Sequence, residues 1–203
     1  MEADAVEIRV LGCLIEKQRT TPDAYPLTLN SLRLACNQAT NRDPVVHYDE
    51  QVIRDALQRL WRKEWARLAS GQGSRSVKYR QLVQETLGLA DDEISVLCVL
   101  MLRGAQTPGE LKQRTDRLHP FASLAEVEET LVRLIERELA ARLERRPGQK
   151  EERYAQLLGG EVENLGGSDV ERPVLARDPL EERVAALEEE VAALRAVLTD
   201  LGL

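Results

Sequence analysis

The stretch EIRVLGCLIEKQRTTP, Glu7–Pro22, lines up without a gap with EISVLCVLMLRGAQTP, Glu93–Pro108, at an offset of 86. Three more matches follow in the same order. TLNSLR (Thr28–Arg33) matches TPGELK (Thr107–Lys112), LQRLWRKEW (Leu57–Trp65) matches LVRLIEREL (Leu131–Leu139) at an offset of 74, and KYRQL (Lys78–Leu82) matches RYAQL (Arg153–Leu157). One match of this quality can arise by chance, but four in order mark an internal duplication. A unit of roughly 75 residues, present twice, is long enough to form a small domain each time. The repeat therefore predicts one domain over 1–85 and a second over 86–158.

Each unit reads as helix, helix, helix and hairpin. In the first copy a helix over about 5–18 carries Ile8, Leu11, Cys13, Leu14 and Ile15. A second starts at the N-cap Thr28 and sets Leu29, Leu32 and Cys36 on one face. A third starts at Asp49 and turns Ile53, Ala56, Leu57 and Leu60 inward. Val77 and Tyr79 then alternate with Lys78 and Arg80, which predicts a half-buried strand. In the second copy Thr107–Glu110 and Ser123–Glu126 both have the spacing of capping boxes. The fold class expected is mainly α with small β-hairpins (α+β): two tandem winged helices, in which the second and third helices form a helix-turn-helix and the hairpin is the wing. A generic small α+β unit is the competing reading.

A glycine-rich, polar stretch over 159–178 reads as a linker. Over 179–203 the sequence keeps a heptad. Leu180, Leu187, Leu194 and Leu201 fall at d, and Val184, Val191 and Leu198 fall at a. Mostly β-branched a positions with Leu at d favour a parallel two-stranded coiled coil. Arg183 would then face Glu188, and Glu190 would face Arg195, each with opposite sign. A homodimer through Leu180, Val184, Leu187, Val191, Leu194 and Leu198 is the expectation. Folding of this helix back onto its own chain is the alternative.

Charge is distributed unevenly. The net charge is -7. Residues 1–85 carry 13 basic and 11 acidic side chains, residues 86–158 carry 11 and 13, and residues 159–203 carry 4 and 11. The acid surplus lies in the tail, so total charge does not exclude a nucleic-acid partner for the first unit. From Arg67 to Gln84 there are four basic residues (Arg67, Arg75, Lys78 and Arg80) and no acidic one. The outward stripe of the third helix is Gln51, Arg54, Asp55, Gln58 and Arg62. Gln and Arg present paired donors and acceptors to base edges, or donors to phosphate. The nucleic-acid-binding set expected is Gln51, Arg54, Gln58, Arg62, Arg75 and Lys78, acting on double-stranded DNA. The aligned stripe of the second copy, Ala125, Glu128, Glu129, Val132 and Glu136, would be repelled by phosphate. Its wing mixes Arg145, Arg146 and Lys150 with Glu144, Glu151 and Glu152, and a solvated charged face is the plainer reading of both wings.

Other chemistry is poorly supported. Cys13, Cys36 and Cys98 are scattered, with no C-x-x-C pair, and His47 and His119 stand alone in connections. No metal, cofactor or catalytic residue is expected. No Walker loop, nucleophile elbow or dinucleotide glycine pattern occurs, which argues against an enzyme. The N-terminus lacks a signal-peptide core. The longest apolar run, ISVLCVLML, is too short to span a bilayer, so a cytoplasmic protein is expected.

The segment YPLTLNSLRLACNQATNRDPVVHYDE, Tyr25–Glu50, followed by VIRDALQRLWRKE and the basic hairpin, resembles the bacterial YceH family. The resemblance extends over nearly the whole chain, and LACNQ…NRDPV is its most specific part. It implies tandem winged helices in a cytoplasmic bacterial protein. It transfers no catalytic or ligand-binding residue. Within this segment Arg42 can reach a phosphate, or it can hold the loop by pairing with Asp43 or Asp49. An alternative function is a scaffold that grips a protein partner, as the tandem winged helices of ScpB-like condensin subunits do.

Overall fold

A computed structural model describes residues 2–69, 76–145 and 151–160. Helix α1 spans Ala5–Thr20. It starts at a capping box: the Asp4 carboxylate accepts from Glu7 N, and the Glu7 carboxylate accepts from Asp4 N, both at 2.8 Å. Every residue from Glu7 to Ile15 is buried. A helix covered on all sides needs no 3.6-residue polar alternation, which is why its apolar run is nearly continuous. After a turn at Pro22–Ala24 come β1 (Leu27–Thr28), α2 (Leu29–Cys36) and α3 (Glu50–Arg62), then β2 (Ala66–Leu68), β3 (Lys78–Gln81) and α4 (Val83–Leu87). The second half contains α5 (Asp91–Arg103), α6 (Pro108–Thr115), α7 (Leu124–Glu136), β4 (Ala140–Leu143) and β5 (Arg153–Gln156). The fold is α+β, with small antiparallel sheets at the end of each helical triplet.

The duplication holds down to single hydrogen bonds. Thr28 and Thr107 cap α2 and α6 through their side chains. Leu27 pairs with Tyr79 in the first half, and Gln106 pairs with Tyr154 at the matching place in the second. Buried Glu7 receives Lys63 Nζ at 2.5 Å and lies 3.7 Å from Arg59. Its repeat equivalent Glu93 receives Arg137 at 2.9 Å and lies 3.9 Å from Arg133. Each first helix is thus tied to the last turns of its third helix by a carboxylate removed from water. Removing one partner of such a pair costs more than a surface ion pair would.

Both third helices also end alike. Glu64 and Glu138 adopt φ of 59° and 55°. Trp65 N donates to Leu60 O and Leu139 N to Leu134 O, both at 2.9 Å. This is the Schellman ending, which glycine fills with least strain. Both glutamates are exposed.

Several details differ from the sequence expectation. The first sheet has three strands, in the order β1-β3-β2, because the two residues before α2 pair with β3. No periodicity can announce a two-residue strand. Val77 is 52% exposed and lies outside β3, so the expected alternation of Val77 and Tyr79 fails. Within β3, Lys78, Tyr79 and Arg80 are all half-buried, and the deeply buried residue is Gln81, which donates to Gln18 at 2.8 Å. Gln81 N also donates to the Tyr25 hydroxyl at 2.7 Å. At Ser123 the capping box is half formed: the hydroxyl accepts from Glu126 N, but the Glu126 carboxylate takes Ala122 N instead.

The two halves lie in one compact unit, Met1–Asn164, with one continuous cluster of buried side chains. Its most extensive helix pairing is α1 on α5. The helices approach at repeat-equivalent positions, where Cys98 Sγ donates to Gly12 O at 3.4 Å. A Cβ placed on Gly12 would lie 2.9 Å from Leu102 Cδ2 and 3.2 Å from Met101 Cβ. The three thiols are buried and unpaired, and serve as small apolar groups.

Two outcomes follow for stability. Gly12→Ala gains about 1 kcal/mol of helix propensity and loses about as much or more to crowding. Gly12→Val lacks that balance, and chemical denaturation should show it about 2–3 kcal/mol less stable. In contrast, Glu64→Gly and Glu138→Gly should each raise stability by about 0.5–1 kcal/mol by relieving a left-handed backbone. A loss of stability in both would show that the glutamate side chains contribute more than the strain.

Candidate nucleic-acid interface

The segment between α2 and α3 sets the pose of the third helix in the first half. Asn37 clamps its far end in two directions: its amide donates to Tyr48 O at 2.8 Å, and its oxygen accepts from Tyr48 N at 2.9 Å. Asp49 then caps α3 by accepting from Val52 N at 2.9 Å. Arg9 on α1 donates to Pro44 O at 2.7 Å and Cys36 O at 3.3 Å. Asn41 takes the left-handed conformation, which asparagine tolerates.

Arg42 lies at the centre of this segment, and its surroundings correct both readings made from sequence. Its side chain is inaccessible to solvent, so it cannot reach a phosphate, and its carboxylate partner is neither Asp43 nor Asp49. It forms a two-pronged pair with Glu16 of α1, at 2.6 and 3.0 Å, and donates to Ala35 O and Asn41 O. The pairing joins residues 26 apart, which local spacing cannot reveal. Burial alone would raise the Glu16 carboxyl. The hydrogen bonds and charge of Arg42, with Lys17 adding to them, outweigh it and hold Glu16 below the ordinary carboxylate value. Burial also opposes the Arg42 charge, but Glu16 more than compensates and its pKa is raised.

With α3 held in this way, its side chains sort into two groups. Ile53, Ala56, Leu57 and Leu60 are buried, as its periodicity predicts. Arg59 reaches Asp4 at 2.8 Å, and Lys63 is engaged by Glu7, so neither of these cations belongs to the outer face. Gln51, Arg54, Gln58 and Arg62 are exposed on that face. Gln51 donates to Asp55 at 2.8 Å, and Arg54 lies 3.5 Å from Gln51. Lys78 is half-buried on β3. Arg80 lies 3.3 Å from Glu85, so its charge is partly spent. Arg75 lies outside the described residues, as do the heptad positions Leu180, Val184, Leu187, Val191, Leu194 and Leu198.

A groove of about 320 Å³ runs between α3 and the wing strands. Arg54, Gln58, Trp61, Arg67, Leu68 and Tyr79 line it. Trp61 is 65% exposed and Leu68 60%. Trp61 and Arg67 were not among the expected site residues. Trp61 is four residues after buried Leu57, a spacing that reads as inward-facing. It faces out because it sits at the end of α3, beside the wing rather than beneath α1.

The second half has the same frame with opposite charge. Glu128, Glu129 and Glu136 are exposed on α7, together with Val132. On its wing Arg142 and Arg145 lie 3.5 and 3.3 Å from Glu152. Arg146 and Lys150 lie outside the described residues. His47 is exposed, while His119 stacks edge-on against Phe121 at 4.7 Å. Among the described residues no group of three or more His, Cys, Asp or Glu is placed to hold a metal, and no helix is long and apolar enough to cross a membrane.

The Glu16 pair yields an acid-dependence. The Glu16 pKa is lower in the folded than in the unfolded chain. Its stabilisation is therefore complete above the unfolded value of about 4.3 and is lost as pH falls through the folded value. Glu16→Gln should lower stability at neutral pH by about 2–3 kcal/mol, because Arg42 stays buried without a countercharge. Urea titrations from neutral to acid pH should show a shallower decline for E16Q than for the unaltered chain. An identical pH slope would place the acid sensitivity elsewhere.

A family model described as a protein of unknown function, DUF480, matches residues 3–149. A UPF0502 protein of Pelobacter propionicus is 50% identical, over 96% of this chain and 94% of its own length. The UPF0502 protein YceH of Salmonella typhimurium is 45% identical, over 98% of this chain and 96% of its own length.

Proposed function

We propose that this chain, which belongs to the DUF480 family that includes the YceH proteins, is a DNA-binding protein that acts as a dimer in a transcription-related role. In this reading each half is a winged helix. α3 of the first half enters the major groove, and the β2–β3 wing lies along the backbone. Gln51, Arg54 and Gln58 would face base edges, with Arg62, Arg75 and Lys78 on phosphate. The observation that carries the reading is the charge asymmetry of two halves that share one order of helices and hairpin. The exposed face of α3 presents Gln and Arg where α7 presents three glutamates. A heptad dimer over 180–201 would bring two first-half surfaces onto one duplex and raise their effective affinity.

One observation favours a second reading, a scaffold that grips a protein partner. Trp61 and Leu68 expose apolar surface beside Arg54 and Gln58. Exposed Trp next to Arg is the composition of a protein-binding hot spot. DNA ranks first because the stripe along α3 is polar and cationic, and Trp61 lies only at its end.

Binding to random duplex should be measurable at low ionic strength and should weaken steeply as salt is added. Arg54→Ala with Arg62→Ala should lower the salt slope by about 1 to 2. Absence of low-salt binding, or a slope that the double variant leaves unchanged, would reject DNA in favour of a protein partner.

A further inference from the structure

A second cleft, of about 750 Å³, opens where α1 and the end of the Asn37–Arg42 segment meet α5 and α6. It shares no lining residue with the α3 groove. Cys98, Val99 and Leu102 contribute apolar lining. Lys17, Arg103, Arg114 and Arg117 line it as cations, against two carboxylates, Glu16 and Asp116. Glu16 is already engaged by Arg42 and by Lys17 at 2.6 and 3.3 Å. Arg114 lies 3.5 Å from Glu110, which also receives Arg153 at 3.0 Å. Arg103 bonds the neutral Asn41 side chain, and neither Arg103 nor Arg117 pairs with a carboxylate among the described residues. Among the described residues, Arg103 and Arg117 thus give the walls positive charge that no ion pair neutralises.

Basic side chains also gather at helix C-termini to complement the carbonyl dipole, and α1, α5 and α6 all end here. That effect accounts for Lys17, Arg103 and Arg114, which lie in last turns, but not for Arg117, which lies beyond α6. Arg103 is also repelled by the neighbouring cations Arg114 and Arg42, against the attraction of Glu16 and Glu110. Burial, followed by the charges of Arg114 and Arg42, depresses its pKa. A group repelled in this way becomes more favourable when an anion enters. The volume falls within the range of small-molecule sites. Three of the four cations are arginines, whose planar forks bind oxyanions in bidentate fashion.

We infer that this inter-repeat cleft binds a small molecule carrying two or more oxyanion groups, held by Arg103 and Arg117 with support from Arg114 and Lys17. The site spans both copies of the repeat, so a bound anion would cross-link them. This inference does not rest on the DNA reading, since the cleft and the α3 face have no residue in common.

Calorimetric titration of the full chain at low ionic strength, with pyrophosphate and citrate as probes, tests it. At least one should bind saturably with a stoichiometry near one per chain, and the stronger of the two identifies the ligand as phosphate or carboxylate. Arg103→Gln with Arg117→Gln should weaken that binding about tenfold or more. Arg54→Ala with Arg62→Ala should leave it unchanged. A circular-dichroism melt checks that the variants are folded, and Arg117→Gln alone, at an exposed position, should still weaken binding. Failure of both probes to bind, or binding that R103Q/R117Q leaves intact, would overturn the inference. Loss of pyrophosphate binding on R54A/R62A would also overturn it, by showing that the anion sits on the α3 face.

Discussion

The contact of α1 with α5 is the constraint on which the rest depends. Each is the first helix of its repeat, and each has a continuous buried stretch, Glu7–Ile15 in α1 and Glu93–Leu102 in α5. A helix covered on every side can be satisfied only if its own α2 and α3, or α6 and α7, take one flank and the other copy takes another. The close approach needs Gly12, because a side chain there would collide with Leu102 and Met101. The equivalent Cys98 supplies a small thiol that donates back to the Gly12 carbonyl. The helix pair therefore makes one core out of two repeats.

Buried carboxylates carry that central packing outward. Glu7 and Glu93 anchor the last turns of α3 and α7 from the inside. They fix which cations each third helix spends internally and which it can present. In the first half, Arg59 and Lys63 turn inward and Arg54 and Arg62 remain outside. Glu16 does similar work through Arg42 for the segment that leads into α3. The stretch LACNQ…NRDPV thus braces a helix through Asn37 and Arg42.

Much of this is legible in the sequence. The four-part repeat predicted the order of elements. The caps at Thr28, Asp49 and Thr107 and the inward set Ile53, Ala56, Leu57 and Leu60 were read from local spacing, because caps and helix faces are set within four residues. The parts that were missed are those made by residues far apart in sequence. Strand β1 is too short to have a period. Val77 falls outside β3, and the buried residue of that strand is Gln81, held by Gln18 and Tyr25 from elsewhere in the chain. Arg42 found its carboxylate on another helix. The inter-repeat cleft draws on α1, α5, α6 and a loop, none of which carries a motif.

Sequence alone determined that the chain is a duplicated helical unit with a hairpin, that the copies differ in charge on their third helices, and which family the chain resembles. These are properties of periodicity, caps and composition, and each is encoded over a few neighbouring residues. Only the tertiary structure decided which charges are available. It withdrew Arg42 and Lys63 into buried pairs, tied Arg59 to Asp4, left Trp61 exposed beside the wing, and gathered Arg103 and Arg117 into a cleft where neither pairs with a carboxylate among the described residues. Whether a cation is spent or presented depends on what another segment brings within a few ångströms, and no local pattern records that distance.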